Sequence, residues 1–506
     1  VMREAGPEAV ITAFARKSKQ GMKALDAADW MAVSVAQATL GAWGEALHLI
    51  MQGTLAYPDV PEVRDLFERI IVGAAREAGR LYDRREVPRS LAQALYQAIQ
   101  VSHARFPEES GLTYLAGVAA HVCLKDEEAA LACARLAQRC LPKGDASFLV
   151  LVMILLDHAI VDRPLIREAA RYALVLWRRN PQDIGAVYSV LFELYTRGRL
   201  VEASRLARRL LARFDQATVA DAPSLKFWDL FEVRDSFFRA QVLTQPRPLA
   251  DVRLEKATHA PGPAVLLVSC DGGYWRLFTK WGAPHILARA PGLAVHVHLV
   301  DPEPADLADL EALRAREPRF GFSVNQRATD PIWPADDPAA YRKTYYACAR
   351  FLALPRLIAA YDKPILLLDA DGILRADPEP IVADWQARDV GFAVRHGKAI
   401  GPFREFTCST LYLNDRASAR FYAEVVAGYI AAFMANGKPY WTLDQVALYC
   451  AYHWMKGQGV APRLELLDGC GVDEWFLSPD GSAEEKSAKI KAMIAAEGLD
   501  GVGGQP

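Results

Sequence analysis

Asp369-Ala370-Asp371 closes the apolar run Ile365-Leu366-Leu367-Leu368. A short apolar run ending in two acids reads as a buried strand that delivers carboxylates to its C-terminal edge. Residues i and i+2 of an extended chain point the same way, so both carboxylates reach one divalent cation. A hard cation held by few carboxylates keeps open positions for phosphate oxygens, the layout that neutralises a diphosphate leaving group. An Asp entering a turn that ends in Asp371-Gly372 is also ordinary turn chemistry, so a cap of the following turn is the plainer alternative for Asp369.

The elements that must position these acids are legible around them. Val265-Leu266-Leu267-Val268 and Val295 to Val300 are compact apolar or β-branched runs that end at Asp271 and Asp301, each followed by a helical stretch. Ile365 to Leu368 is a third run and Val390 to Val394 a fourth. Strands alternating with helices predict an α/β sheet with parallel strands, whose ligands sit beyond the strands' C-terminal ends. Asp271 and Asp369 both fall there. His296 and His298 alternate along their run, which reads as one face of a half-buried strand before it reads as a metal pair.

The chain is 506 residues long, enough for two to four domains. Its net charge of -2 exerts no global pull toward nucleic acid or anionic membrane. The eight cysteines include no C-x-x-C pair and read as buried thiols of a reducing compartment. The longest apolar stretch, Phe148 to Leu156, is too short to span a bilayer, and no apolar secretory segment opens the chain. The expectation is a soluble, cytoplasmic protein with no transmembrane segment and no nucleic-acid partner.

Residues 1–243 are patterned as helix almost throughout. A Glu-Ala pair or its equivalent recurs and leads to a proline: Glu45-Ala46 to Pro58, Leu91-Ala94 to Pro107, Glu128-Ala129 to Pro142, Glu168-Ala169 to Pro181. Small alanines let helices approach closely, and the proline stops one helix and starts the next. Pro107, Pro142 and Pro181 lie near the 34-residue period of tetratricopeptide repeats. The segment thus resembles a degenerate tetratricopeptide array, with an irregular helical bundle as the other arrangement. The boundaries read as a helical-repeat domain over 1–243, a proline-rich linker over 244–263, an α/β domain over 264–490, and a helix end and tail over 491–506.

Five ordered landmarks in the second half carry a further resemblance. They are Val268-Ser269-Cys270-Asp271-Gly272-Gly273-Tyr274, Cys348-Ala349-Arg350-Phe351, Tyr361 through Pro378, Phe406 through Asn414, and Leu443-Asp444-Gln445. From about Ala264 to Trp454 the chain resembles the nucleotide-diphospho-sugar glycosyltransferases of the GT-A fold. Within them it is most similar to glycosyltransferase family 8, the group of glycogenin and the bacterial lipopolysaccharide galactosyltransferases. The resemblance implies that Asp271 and Tyr274 bind the nucleoside and Arg350 the donor. It implies that Asp369 and Asp371 hold Mn²⁺ or Mg²⁺, and that Asp444 and Gln445 stand at the reacting sugar. Retention of anomeric configuration is implied; under inversion Asp444 becomes the base for the acceptor hydroxyl. The family's late histidine, often a third metal ligand, is absent, and Asp480 stands in roughly its place, with Lys486 behind it. Thr407-Cys408-Ser409 replaces the family's Asn-Ala-Gly or Asn-Ser-Gly step, and the region of Arg395-His396 lacks an acid that many members carry.

Plainer readings stay open for these residues: a tight turn at Asp271, a helix-surface ion pair at Arg350, an N-cap at Asp444, core packing for Trp441, Trp454 and Trp475. Lys343 and Lys486 are further candidates for positive charge at the phosphates. The expected activity is metal-dependent transfer of a sugar from a nucleotide-sugar donor, UDP-sugar favoured, to a protein or glycan acceptor. The helical repeats would recruit the acceptor or a protein partner. The alternative is a catalytically inactive transferase-like domain in an interaction scaffold. A nucleotidyltransferase is a third reading, weakened by the lack of a Gly-rich phosphate loop after the first strand.

Overall fold

The computed structural model describes residues 6–21, 24–82, 88–105, 162–214, 223–244, 252–327, 338–394, 406–438, 440, 442–466, 475–479 and 481–496, with 131, 135 and 152 singly. Asp480, Trp441, Arg395, His396, the repeat positions Pro107, Glu128, Ala129 and Pro142, and the apolar stretch Phe148 to Leu156 lie outside the described residues, Val152 excepted. The chain divides into two compact units, Val1–Thr196 and Arg197–Pro506.

The first unit is helical among its described residues: α1 (Pro7–Ser18), α2 (Ala27–Thr39), α3 (Trp43–Ala56), α4 (Pro61–Tyr82), α5 (Arg89–Arg105), α6 (Arg163–Arg179) and α7 (Ile184–Thr196). Short loops make successive helices neighbours, and α2 packs on α3, α3 on α4, and α6 on α7. Ala46 and Ala169 are buried at these contacts, as small residues must be where helices approach. Leu47, Ile50, Phe67, Ile71 and Leu95 form one core cluster. Asp26 caps α2 through a reciprocal pair of bonds with Asp29, and Asp162 caps α6 by accepting from the Leu165 N–H at 3.0 Å.

The second unit opens with α8 (Leu200–Leu211) and α9 (Pro223–Leu230) and continues into the sheet. Its strands are β1 (Glu255–Thr258), β2 (Val265–Asp271), β3 (Ala294–Val300), β4 (Phe320–Asn325), β5 (Ile365–Leu368), β6 (Ile373–Leu374), β7 (Val390–Val394), β8 (Phe406–Leu413), β9 (Leu464–Leu466) and β10 (Phe476–Leu477). Between them run α10 (Lys280–Arg289), α11 (Pro304–Arg316), α12 (Pro338–Tyr361), α13 (Glu379–Trp385), α14 (Ala417–Ala435) and α15 (Leu443–Gly457), and α16 (Ala483–Ala496) follows. Among the described residues the main sheet has the order β1-β4-β3-β2-β5-β8-β7-β9, and β6 pairs with β10 apart from it.

β2, β3, β4 and β5 are parallel neighbours, buried on both faces, which is why they read as unbroken apolar runs. The sheet as a whole is mixed: β8 runs antiparallel to both β5 and β7. The stretch between β7 and β8 falls short of the dozen or more residues a parallel crossover needs. β1 pairs antiparallel with β4 from inside the proline-rich stretch. One sheet face carries Leu266, Val268, Val295, Val297 and Leu299 into a core with α10, α11 and α13. On the other face His296 bonds Tyr361 of α12 at 2.8 Å and Ser323 at 2.9 Å, and His298 bonds Ser323 at 2.9 Å. Both histidines are fully buried and act as hydrogen-bonded core residues, and burial pushes His298 down to about 4. Among the described residues no helix is long and apolar enough to cross a membrane.

The chain winds from β2 outward through β3 to β4, then returns to the other side of β2 for β5. That reversal opens a crevice at the C-terminal ends of β2 and β5.

Candidate active site

Register fixes what meets at the crevice. Val268 of β2 lies beside Leu368 of β5, so Asp369 emerges level with Ser269, two residues before Asp271. A cavity of about 620 Å³ sits there. Its wall includes Asp271, Tyr274, Arg350, Asp369, Asp371, Asp444 and Gln445, which are far apart in sequence.

Asp271 ends β2 and caps the helical turn Gly272–Tyr274, accepting from the N–H groups of Gly273 at 2.7 Å and Tyr274 at 3.2 Å through one carboxylate oxygen. The turn and the cavity wall are therefore both served by the same side chain. Tyr274 stays 40% exposed, its ring 5.1 Å from that of Phe278. Burial and then the charge of Asp371 push its hydroxyl up, so it remains a protonated phenol.

Asp369 and Asp371 lie on the turn between β5 and β6. The backbone closes this turn by itself: the Gly372 N–H meets the Asp369 carbonyl at 3.3 Å, and the Asp369 N–H donates to the Ser409 carbonyl at 2.9 Å. Neither carboxylate is used to close the turn, and both line the cavity. A side chain at Gly372 would come within 2.0 Å of the Phe476 ring, so glycine is what lets β10 pack on the turn.

Each carboxylate has a cation of its own. Arg350, buried on α12, donates to Asp369 and also to Asp444 at 3.3 Å. Lys486, in the first turn of α16, pairs with Asp371 at 2.7 Å. That helix is fixed by Ser487, which donates to the Leu277 carbonyl at 2.7 Å, and by Ile490 and Ile494 in a cluster with Phe278 and Ile373. Arg350 Nε is buried without a hydrogen-bond partner.

Asp444 is 4% exposed and lies in the first turn of α15; the N-cap is Thr442. One of its oxygens accepts from the Gln445 N–H at 2.8 Å, the other from Arg350. The Gln445 amide reaches Cys408 Sγ at 3.5 Å. Burial pushes the Cys408 thiol up to about 12, so it is no thiolate at neutral pH.

Sequence reasoning missed Ser269, Arg342, Tyr346 and Thr442, which also line the cavity, while Lys343 lines it as well. Arg342 and Tyr346 stand eight and four residues before Arg350 on one helix, a spacing that puts all three on one face and was a usable signal. Tyr346 donates to Asp301 at 2.9 Å. The Trp454 and Trp475 rings are buried core.

Among the described residues no group of three or more His, Cys, Asp or Glu side chains is set to hold a metal. Asp369 and Asp371 supply only hard oxygen donors at one cavity edge. That set fits a divalent cation completing its shell with phosphate oxygens and water. Fully dressed with four acids and several bases, the cavity can hold an anionic ligand together with its counter-cation.

No family model matches the chain, and no curated protein matches it. Parts of the chain are similar to solved structures. One is the galactosyltransferase LgtC in complex with donor and acceptor sugar analogues, 19% identical over 37% of this chain and 70% of that one, with a TM-score of 0.27. Another is mouse xyloside xylosyltransferase 1, 17% identical over 40% and 84%, with a TM-score of 0.25. A third is the mannosyltransferase PcManGT from Pyrobaculum calidifontis with GDP-Man and Mn²⁺, 12% identical over 56% and 90%, with a TM-score of 0.22. All three are glycosyltransferases, and likenesses this faint bear on no residue's role.

Proposed function

We propose that the protein is a metal-dependent glycosyltransferase that moves a sugar from a nucleotide-diphosphate donor, UDP-sugar favoured, to a protein or glycan acceptor. The observation that carries this reading is Arg350. One buried guanidinium ties the Asp369-x-Asp371 edge to Asp444 within a single cavity at the sheet's reversal point.

In this reading Asp271 and the Tyr274 ring hold the nucleoside at the end of β2. Asp369 and Asp371 hold Mn²⁺ or Mg²⁺, which would supply Lewis-acid stabilisation of the departing diphosphate. Lys486 turns from Asp371 to the phosphates, and Arg350 adds its charge beside them. The bond from the anomeric carbon to the phosphate oxygen breaks with its electron pair on the diphosphate, and a bond to the acceptor oxygen forms. Asp444 and Gln445 face the positive charge that develops on the sugar. With retention the acceptor's proton leaves with the diphosphate on the same face; with inversion Asp444 takes it. Asp480 as a third metal ligand, the repeat array as recruiter of the acceptor, and a cytoplasmic location belong to the same proposal. The buried free thiols Cys270, Cys348, Cys408 and Cys450 favour a reducing compartment.

One observation favours the second reading, an inactive scaffold. Asp369 and Asp371 are each already neutralised by a cation of the chain itself. Calorimetry with UDP and GDP, with and without Mn²⁺, separates the two. Metal-dependent binding that Asp371→Ala abolishes supports the transferase; no binding of either nucleotide with any metal overturns it.

A further inference from the structure

Asp444 lies in the first turn of α15, where its carboxylate accepts from the Gln445 N–H. The N-cap of α15, Thr442, makes no side-chain capping bond. The described residues before it are linked by backbone hydrogen bonds. After α14, Gly437 adopts φ +78°, a conformation glycine takes at no steric cost, and the Lys438 N–H closes back on the Phe433 carbonyl at 3.1 Å. The Tyr440 N–H then bonds the Lys438 carbonyl at 2.9 Å, and the Leu443 N–H the Tyr440 carbonyl at 2.9 Å. A displacement of Lys438 or Tyr440 is thereby passed to the turn that presents Asp444 and Gln445.

Both of those side chains are tied to one distant carboxylate. Lys438 Nζ donates to Asp229 Oδ1, and the Tyr440 hydroxyl points at Asp229 Oδ2 at 3.4 Å. Asp229 is 8% exposed and sits near the end of α9. Arg208 of α8 donates to the same carboxylate at 3.2 Å and to the Trp228 carbonyl at 3.0 Å, so the acid is held from its own side as well. Lys226 lies 5.9 Å from the centre of the Tyr440 ring. The neighbouring segment is anchored independently, because the Tyr429 hydroxyl accepts from the Glu232 N–H at 3.0 Å and donates to the Leu230 carbonyl. Asp229 is thus held by Arg208 on one side and engages Lys438 and Tyr440 on the other.

We propose that Asp229 is a positioning residue for the Asp444-Gln445 side of the cavity, acting through Lys438 and Tyr440. It touches neither the cavity nor Asp444. The inference rests on the proposed transfer reaction for its kinetic consequence, and on the geometry alone for its structural one.

The test uses the full chain with Asp229→Asn and Asp229→Glu, beside Tyr440→Phe and Lys438→Met. Hydrogen exchange is the first readout. In Asp229→Asn, amides at the start of α15 should exchange about ten-fold faster while those of the Asp369–Gly372 turn are unchanged. The second readout is sugar release from UDP-sugars against UDP affinity. Turnover should fall by about 100-fold, as for a misplacement near an ångström, with Mn²⁺-dependent UDP affinity within about two-fold. Asp229→Glu should recover part of both. Unchanged exchange at α15 in a folded Asp229→Asn overturns the inference, as does a loss of UDP affinity that matches the loss of turnover. If Asp229→Asn does not fold, Tyr440→Phe and Lys438→Met give the same exchange reading. If the wild-type chain neither binds UDP nor releases sugar, the transfer reading fails, and the exchange arm alone decides whether Asp229 positions α15.

Discussion

Arg350 and Asp444, ninety-four residues apart in sequence, meet at 3.3 Å across the cavity floor, and both are almost wholly buried. A guanidinium can serve two carboxylates at once because its donors fan out in a plane. Arg350→Ala removes that bridge and leaves Asp444 as a buried charge without its partner. The expected cost is about 3 kcal/mol of stability, read as a shift in the urea midpoint. Arg350→Lys keeps the charge but not the fork, and should recover stability only in part. A midpoint equal to wild type for Arg350→Ala would rule out a structural role for the bridge.

Lys486 competes with any cation for Asp371. Lys486→Met should therefore tighten Mn²⁺ binding to the nucleotide-free protein by about five-fold, the worth of one modest ion pair. Under the proposed transfer reaction the same variant should weaken Mn²⁺-UDP, because the lysine would be missing at the phosphates. Calorimetry with the metal alone and then with UDP reads both directions; equal Mn²⁺ affinity in the two proteins would count against competition at Asp371.

Gly372→Ala forces a methyl group into the Phe476 ring. Either β10 moves away from β6 or the carboxylate turn shifts, and both deform the edge that carries Asp371. The prediction is a destabilisation of about 2 kcal/mol together with lost metal-dependent nucleotide binding. Gly372→Ala with Phe476→Leu should restore part of each, measured by thermal unfolding and calorimetry.

Much of this was readable from residue order, for an identifiable reason. Strands buried on both faces must be continuous apolar runs, so β2, β3, β5 and β7 stand out, and acids at their ends fall at the crevice. β1 did not stand out, because Glu255–Thr258 is an edge strand with mostly exposed side chains and no apolar signature. The reversal of β8 depends on the brevity of its connection to β7, which apolar patterning does not encode. Helical periodicity predicts that α8 and α9 each bury a face but names no partner; those partners, Tyr429 and Lys438, are about two hundred residues away. Arg350 was legible as a candidate, whereas its double engagement was not, since nothing local links Asp369 to Asp444.

Acid should weaken the fold through Asp389, which does not line the cavity. Burial opposes its charge, but hydrogen bonds from Arg463 and Arg416 prevail and hold it down at about 2. A carboxylate depressed below its unfolded value of about 3.9 stabilises fully above that pH and loses its contribution as pH falls toward 2. Asp389→Asn should thus be less stable than wild type at pH 7, by on the order of 2 kcal/mol. The gap should narrow between about pH 4 and pH 2. Urea unfolding across that range checks the sign, and a gap that widens on acidification would contradict it.

The turn bearing Asp369 and Asp371 is pinned at both ends, by β5 and the Ser409 carbonyl on one side and by the β6–β10 pair on the other. Its conformational entropy is therefore surrendered when the chain folds, not when a ligand arrives. A ligand meeting this edge needs no loop to order, only Lys486 to leave Asp371, so association there should be a single fast phase whose rate rises linearly with ligand concentration, without the plateau that a loop-ordering step would impose.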